Sequence, residues 1–367
     1  MTRAALAALL AVLICGCGKE SSPATKAPPV PRTPPSSFVG VVAADAYDGS
    51  PAYRDRTLPR IRAAGAGLIR QTFDWSAIET APGDYDFSRL DRYVAAVAGQ
   101  RLRLLPILFR PPRFRSSAPK RGAGRGVYPP EHPEDLGRFA AALVHRYGPR
   151  GDFWREHGDL PALPIRDWQV WNEPNFPFYW PSGPDPAAYV RLLRVTGQAI
   201  HSADPGARVV SAGLASSHGG VPFDRFVEGM YEHGAKEALD VFALHPYAVD
   251  VPGVVSAAEH TRELLARLGH APPIWVTEIG WASAGPSSPF TVGEPAQAVR
   301  VRRALGELAA RRRALGLRGV VYFNWRDLPA PRGGGDFFGF HTGLLRQDGS
   351  PKPAFKAFRE EAQRIVR

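Results

Sequence analysis

From Phe38 onward, short apolar runs alternate with segments whose apolar residues recur every three or four positions, and eight such rounds follow one another. A short, continuous apolar run suits a strand covered on both faces, and the 3.6-residue period marks a helix laid over it. Strands are expected at 38–42, 67–72, 102–109, 166–172, 208–212, 240–245, 274–278 and 319–324. Helices are expected at 58–64, 90–97, 134–147, 186–202, 223–233, 257–268, 294–315 and 353–365. The 134–147 segment shows the pattern well, with Leu136, Phe139, Ala140, Leu143 and Val144 on one face. Eight βα units predict an α/β fold, a (β/α)8 TIM barrel in a single domain over 38–367. An open, doubly wound sheet is the competing architecture. It lacks support because no Gly-rich phosphate turn follows an early strand. At 367 residues the chain exceeds the roughly 250 of a typical barrel, and a 44% hydrophobic share with eight tryptophans can fill one large core.

Two of these strands end in a carboxylate. Trp168-Gln169-Val170-Trp171-Asn172-Glu173 is stopped by Pro174, which removes a ladder donor. Ile274-Trp275-Val276-Thr277-Glu278 repeats the shape 105 residues later, and three βα units in that interval give 35 residues each. Both strands therefore point the same way, and in a barrel both glutamates would face the C-terminal rim, where active sites form. Two carboxylates across a cleft suit cleavage of a glycosidic bond. One protonates the leaving oxygen, and the other either attacks the anomeric carbon or activates water.

The flanking motifs sharpen this. Trp171-Asn172-Glu173-Pro174 resembles the Asn-Glu-Pro motif that ends strand four in clan A glycoside hydrolases, and Thr277-Glu278-Ile279-Gly280-Trp281 resembles that clan's nucleophile strand. His245-Pro246-Tyr247 is similar to its His-x-Tyr element, while Arg70, ending strand two, and Trp325, in Phe323-Asn324-Trp325, fall at familiar positions of the clan. The tail Gly343-Leu344-Leu345 with Asp348-Gly349-Ser350-Pro351-Lys352-Pro353-Ala354 resembles the closing stretch of family 39 and family 5 cellulase-like members.

The resemblance implies a retaining double displacement on a β-linked glycan, with Glu173 as acid/base and Glu278 as nucleophile. Arg70 and Tyr247 would keep Glu278 ionised. Asn172 would hydrogen-bond the sugar 2-hydroxyl. His245 would join the substrate site, and Trp325, Trp281 and Trp180 would offer apolar faces to the sugar. No cofactor and no metal are expected. One departure stands out: Phe109-Arg110-Pro111 occupies the end of strand three, where many family 5 enzymes carry a histidine.

The remaining features concern placement and partners. Residues 1–16, with Arg3 and an apolar run from Ala4 to Ile14, are expected to be a signal peptide. Gly16-Cys17 resembles a lipoprotein junction, so Cys17 is expected to carry lipid, and the Pro/Ser-rich stretch 17–37 to act as a tether. A bacterial surface lipoprotein is then expected, touching the membrane only through that anchor. The only two cysteines lie here, so the mature domain would hold no disulfide and no thiolate chemistry.

Forty arginines against six lysines give a net charge of +11. No nucleic-acid motif accompanies that charge, and a nucleic-acid partner is not expected. The insert 110–130 carries Arg113, Arg115, Lys120, Arg121 and Arg125, which suggests an anionic carbohydrate as substrate. A monomer is expected. The alternatives to hydrolysis are a carbohydrate-binding lipoprotein without turnover and a transglycosylase using the same covalent intermediate.

Overall fold

The computed structural model describes residues 36–121, 126–216, 219–330 and 334–366. The expected signal segment, Cys17, nearly all of the tether and Arg125 lie outside these residues.

Eight principal strands run parallel: β1 (Val39–Val42), β2 (Leu68–Asp74), β3 (Arg103–Phe109), β4 (Asp167–Val170), β5 (Arg208–Val210), β6 (Phe242–His245), β7 (Ile274–Ile279) and β8 (Leu317–Tyr322). Their order in the sheet is β5-β4-β3-β2-β1-β8-β7-β6, and a ninth short strand, Leu214–Ala215, pairs with the outer edge of β6. That short strand follows β5 directly, after a break at Ser211-Ala212-Gly213. Val210 also bridges Val241, and the Ser211 amide donates to the Val241 carbonyl at 3.0 Å. One chain segment thus pairs with both ends of the sheet, which curls in the manner of a TIM barrel.

Among the described residues, eight longer helices connect the strands and cover them: α1 (Pro51–Ala63), α2 (Ser88–Gly99), α3 (Pro133–Tyr147), α4 (Pro186–Ala203), α5 (Phe223–Glu232), α6 (Val251–Arg267), α7 (Glu294–Ala310) and α8 (Pro353–Val366). Two of them, α1 and α6, begin earlier than the periodicity suggests. The Ser50 hydroxyl accepts from the Tyr53 amide at 3.2 Å and Pro51 opens α1. Before α6, the Asp250 carboxylate accepts from the Gly253 amide at 2.9 Å. Both are side-chain caps on donors the first turn would leave unpaired.

The core has two compartments. Leu68, Leu105, Val210, Val241, Ala243, Trp275 and Val321 pack inside the curl, and a larger cluster fills the space between strands and helices. At the N-terminal ends of the strands, Asp167 pairs with Arg208 and Arg318, each at 2.7 Å, and Arg318 lies over the Trp275 ring at 5.0 Å. That ion cluster occupies one end of the sheet, and the two glutamates lie at the other.

Candidate active site

β2, β4, β6 and β7 each deliver one polar group or more to the C-terminal rim, and Arg70 connects them. Its guanidinium, 1% exposed, donates from Nε to Gln169 Oε1 at 2.7 Å, from Nη2 to Asn172 Oδ1 at 2.8 Å, and from Nη1 to Glu278 Oε1. The Gln169 amide in turn donates to the Ser211 carbonyl at 3.1 Å. A planar cation whose three nitrogens all have fixed acceptors cannot swivel, so Glu278 is held in one place by a group that is itself immobilised.

The second oxygen of Glu278 accepts from the Tyr247 hydroxyl at 3.1 Å and lies 3.7 Å from His245 Nδ1. Burial alone would raise the Glu278 carboxyl. The positive charges of His245 and Arg70, together with the hydrogen bonds from Arg70 and Tyr247, outweigh it and leave the group below its ordinary 4.5. Tyr247 moves the other way. Burial pushes its phenol well above the usual value of 10.0, and the negative charges of Glu278 and Glu173 add to the rise, so it remains a hydrogen donor.

Glu173 takes a different position. Its Oε1 lies 2.7 Å from His245 Nδ1, and its amide donates to the Gly213 carbonyl at 3.2 Å. His245 is fully buried, with Nε2 facing Gly213, where a Cβ would approach within 2.0 Å. Nδ1 is thus the ring nitrogen that reaches Glu173, and the buried Nε2 has no hydrogen-bond partner among the described residues. The glycine that interrupts the sheet between β5 and Leu214–Ala215 is therefore what leaves room for the imidazole.

Arg70, Asn172, Glu173, His245, Tyr247 and Glu278 thus converge as the sequence suggests. The tryptophans do not. Trp325 is fully buried and packs edge-on against Phe355 of α8 at 5.7 Å. Asn324 Oδ1 accepts from the Trp325 amide at 2.8 Å, turning the chain after β8 so that the indole points to the helix layer. Trp281 is buried and donates to the Ala248 carbonyl at 2.8 Å, joining the end of β7 to the segment after Tyr247. Trp180 packs in a T-shape on Trp171 at 5.9 Å and on Tyr189 at 6.4 Å. All three are packing residues, which corrects the expectation that they offer faces to a sugar. At the end of β8 the part-exposed aromatic is Phe323.

Two residues join the site that the motifs do not single out. Gln169, fully buried in β4, orients Arg70. Tyr179 hydrogen-bonds Asn172; burial pushes its phenol well above 10.0, with the charges of Glu173 and Glu278 acting in the same direction. A polar side chain within an apolar strand was the available sign of Gln169. Tyr179 sits in an irregular loop that carries no periodicity to interpret.

Three arginines of the basic insert are committed to partners within the protein. Arg115 pairs with buried Glu79 at 2.8 Å and buried Asp135 at 3.0 Å, and Arg113 donates to the Ala118 carbonyl at 2.9 Å. Arg110 contacts Asp74 at 3.2 Å, while Lys120 and Arg121 are exposed. The two arginines at the centre of the anionic-substrate expectation are therefore satisfied within the protein.

Glu173, His245 and Glu278 offer ligand atoms within 4.8 Å of one another, a spacing that a metal site can share with a catalytic pair. The electrostatics oppose a cation there. The Arg70 guanidinium already contacts Glu278, and a donor from Tyr247 occupies its other oxygen.

The fold has counterparts among solved structures. A family 39 glycoside hydrolase from the gut symbiont Bacteroides cellulosilyticus WH2 superposes over 90% of this chain and 64% of its own, at 23% identity and a TM-score of 0.65. A family 39 β-xylosidase from Caulobacter crescentus covers 89% of this chain and 72% of its own, at 20% identity and a TM-score of 0.65. The fold is that of the family 39 glycoside hydrolases. A family 39 enzyme from Xanthomonas axonopodis pv. citri matches similarly, at 20% identity, a TM-score of 0.63 and 66% of its own length. The chain therefore spans about two thirds of these family 39 proteins. No protein-family model and no curated protein matches its sequence.

Proposed function

We propose that residues 38–367 form one (β/α)8 catalytic domain acting as a monomeric glycoside hydrolase, which cleaves β-linked sugars with retention of configuration. The observation that carries this is the separation of the two carboxylates. Glu173 and Glu278 approach within 4.8 Å through their nearest oxygens. A nucleophile and an acid/base act at about 5–5.5 Å, whereas inversion leaves about 6.5–9.5 Å for a water.

In the first step an oxygen of Glu278 attacks the anomeric carbon while Glu173 gives a proton to the departing glycosidic oxygen. In the second, Glu173 takes a proton from water, whose oxygen displaces Glu278 and restores both carboxyl groups. Arg70 holds the nucleophile ionised and aimed, and Tyr247 supports its other oxygen. Once the ester forms, Glu173, left as a carboxylate by the first step, serves as the base. Asn172, fixed by Arg70, suits the sugar 2-hydroxyl, a contact that strengthens as the oxocarbenium ion develops.

The reading is tested with a panel of 2-deoxy-2-fluoro glycosides followed by peptide mapping. The expected label is on Glu278, and the glycoside that delivers it names the sugar. A label elsewhere, or full activity in Glu278→Gln, would sink the assignment. The N-terminal Gly16-Cys17 junction supports a lipid-anchored enzyme at the bacterial surface. Palmitate labelling that survives Cys17→Ala would remove the anchor from this reading.

A further inference from the structure

Four phenylalanines form a cluster beside the catalytic group without belonging to it. Phe290 lies in the loop after β7, and Phe337, Phe338 and Phe340 lie in the loop after β8. The rings of Phe290 and Phe338 are 4.8 Å apart and tilted by 30°, and Phe337 lies on Phe338 at 4.4 Å. Phe290 and Phe338 also meet Tyr247 edge-on, at 6.1 and 6.2 Å. Tyr247 is the residue that donates to Glu278, so aromatic surface begins one ring away from the proposed nucleophile.

The two loops are fixed to each other. The Ser283 amide donates to the His341 carbonyl at 2.9 Å. Buried Lys352 donates to Ser283 Oγ and to Asp327 Oδ1, both at 2.7 Å. Gly285 takes φ +91° against the His341 ring, where a Cβ would come within 2.2 Å. A surface held by such contacts is preorganised, and little ordering remains to oppose binding.

These rings are nevertheless not sealed. Phe337 is 51% exposed, and Phe290 and Phe338 keep part of their surface open. Apolar rings left in water beside a polar cleft forgo burial that a ligand can supply. The arrangement suits a pyranose whose hydroxyls are equatorial, because its face presents C–H bonds to an aromatic ring. Among the described residues, the neighbouring Asp336 carboxylate is taken up by the Phe337 amide at 2.9 Å and the His341 ring at 2.8 Å, so the rings offer apolar faces that suit a neutral sugar.

We propose that Phe290, Phe337 and Phe338 form a stacking platform for a neutral sugar next to the one whose bond is cut, making the substrate an oligosaccharide chain rather than a short glycoside. This rests on the glycosidase reading for what happens at Glu278, but not for the platform's ability to bind.

The test separates the two. Full-length Glu278→Gln is titrated calorimetrically with di- to hexasaccharide ladders from xylan, cellulose, mannan and polygalacturonate. The expected result is a gain in affinity of about tenfold when a sugar is added along a neutral ladder. Phe337→Ala in the same background removes that gain, and Phe337→Tyr keeps it. Phe290→Ala gives the same loss by a second route. The platform is overturned if affinity is flat with length, if Phe337→Ala weakens every length equally, if polygalacturonate shows the largest gain, or if no ladder binds. Should the fluoro-sugar trap label Glu278 while the length dependence is absent, the platform fails alone. Should the trap fail while the Phe337-dependent gain persists, the hydrolase reading fails and the platform stands.

Discussion

The two carboxylates sit on strand ends built in opposite ways. β4 stops at Val170, and the chain turns through Trp171 at φ +73° and Glu173 at φ +40°. Left-handed backbone costs a residue with a Cβ roughly 1–2 kcal/mol, so something must impose it. Packing does. Trp171 is fully buried against Phe109 at 4.8 Å and Trp180 at 5.9 Å, and its Nε1 donates to the Tyr179 carbonyl at 2.9 Å. β7, in contrast, runs extended through Glu278 to Ile279, and charge fixes the carboxylate there, through Arg70 and Tyr247. One glutamate is placed by shape and the other by electrostatics. That division fits the proposed roles. A group that gives and takes a proton cannot be locked to a guanidinium, whereas a nucleophile that must stay ionised benefits from one.

The largest expected difference comes from neutralising each carboxylate in turn. Glu278→Gln should lower kcat by at least about 10⁴-fold for every glycoside, since no covalent step remains. Glu173→Gln should cost about 10²–10⁴-fold with a poor leaving group. With an activated phenol as leaving group its first step should survive, and added azide should restore turnover by replacing the water that needs a base. Steady-state kinetics on a series of aryl glycosides checks both. Identical losses for the two variants, independent of leaving group, would break the contrast between the strand ends.

Next in size is the electrostatic grip. The lowered Glu278 carboxyl means that its ionised form is favoured in the folded protein, so the acid limb of kcat/KM should lie below 4.5. The stability that this ionised group contributes is present above its unfolded value of about 4.3 and is lost as pH falls through the folded one. Arg70→Gln removes the cation. It should shift the acid limb upward by about 1–3 pH units and lower kcat/KM at neutral pH by about 10²-fold. A pH profile that does not move would show that Arg70 only fills space.

How much of this was legible in the sequence follows the same divide. Parallel strands covered on both faces leave apolar runs, which is why the eight units and both strand-end glutamates could be found from residue order. Helix starts were harder. Pro59 looks like a first-turn proline, but Ser50-Pro51 already caps and opens α1, and Pro59 lies inside it. The charged and amide groups on the strand ends were legible through their motifs, whereas Gln169 showed only as a polar side chain in an apolar strand, with no motif to give it a role. Aromatic roles were the least legible. Trp325 and Phe290 are equally aromatic in the sequence, and only the turn after Asn324 and the junction of two distant loops decide which is buried and which meets Tyr247. The partners of Arg115 were equally hidden, since Glu79 and Asp135 come from other parts of the chain.

A subtler change should perturb the Glu173 side alone. Gly213→Ala places a Cβ 2.0 Å from His245 Nε2, a distance that the buried ring cannot accept without shifting. Overpacking of this kind costs about 1–3 kcal/mol, measurable by urea unfolding. The displaced imidazole should also slow the step that uses Glu173, so that hydrolysis of the glycosyl-enzyme becomes more strongly limiting and azide accelerates turnover more than in the unaltered protein. Loss of stability without any change in the azide response would mean that His245 does not position the acid/base.

The smallest expected effect on catalysis belongs to Trp325, the residue the sequence most clearly offered as a sugar platform. Its indole is fully buried against Phe355, so Trp325→Phe removes volume from the packing beneath α8 rather than from a binding surface. The expected loss is about 1–3 kcal/mol of stability, with KM for a glycoside changed less than about twofold. A large rise in KM at unchanged stability would return Trp325 to the site, and would mean that charge and packing do not divide the rim in the way the two strand ends suggest.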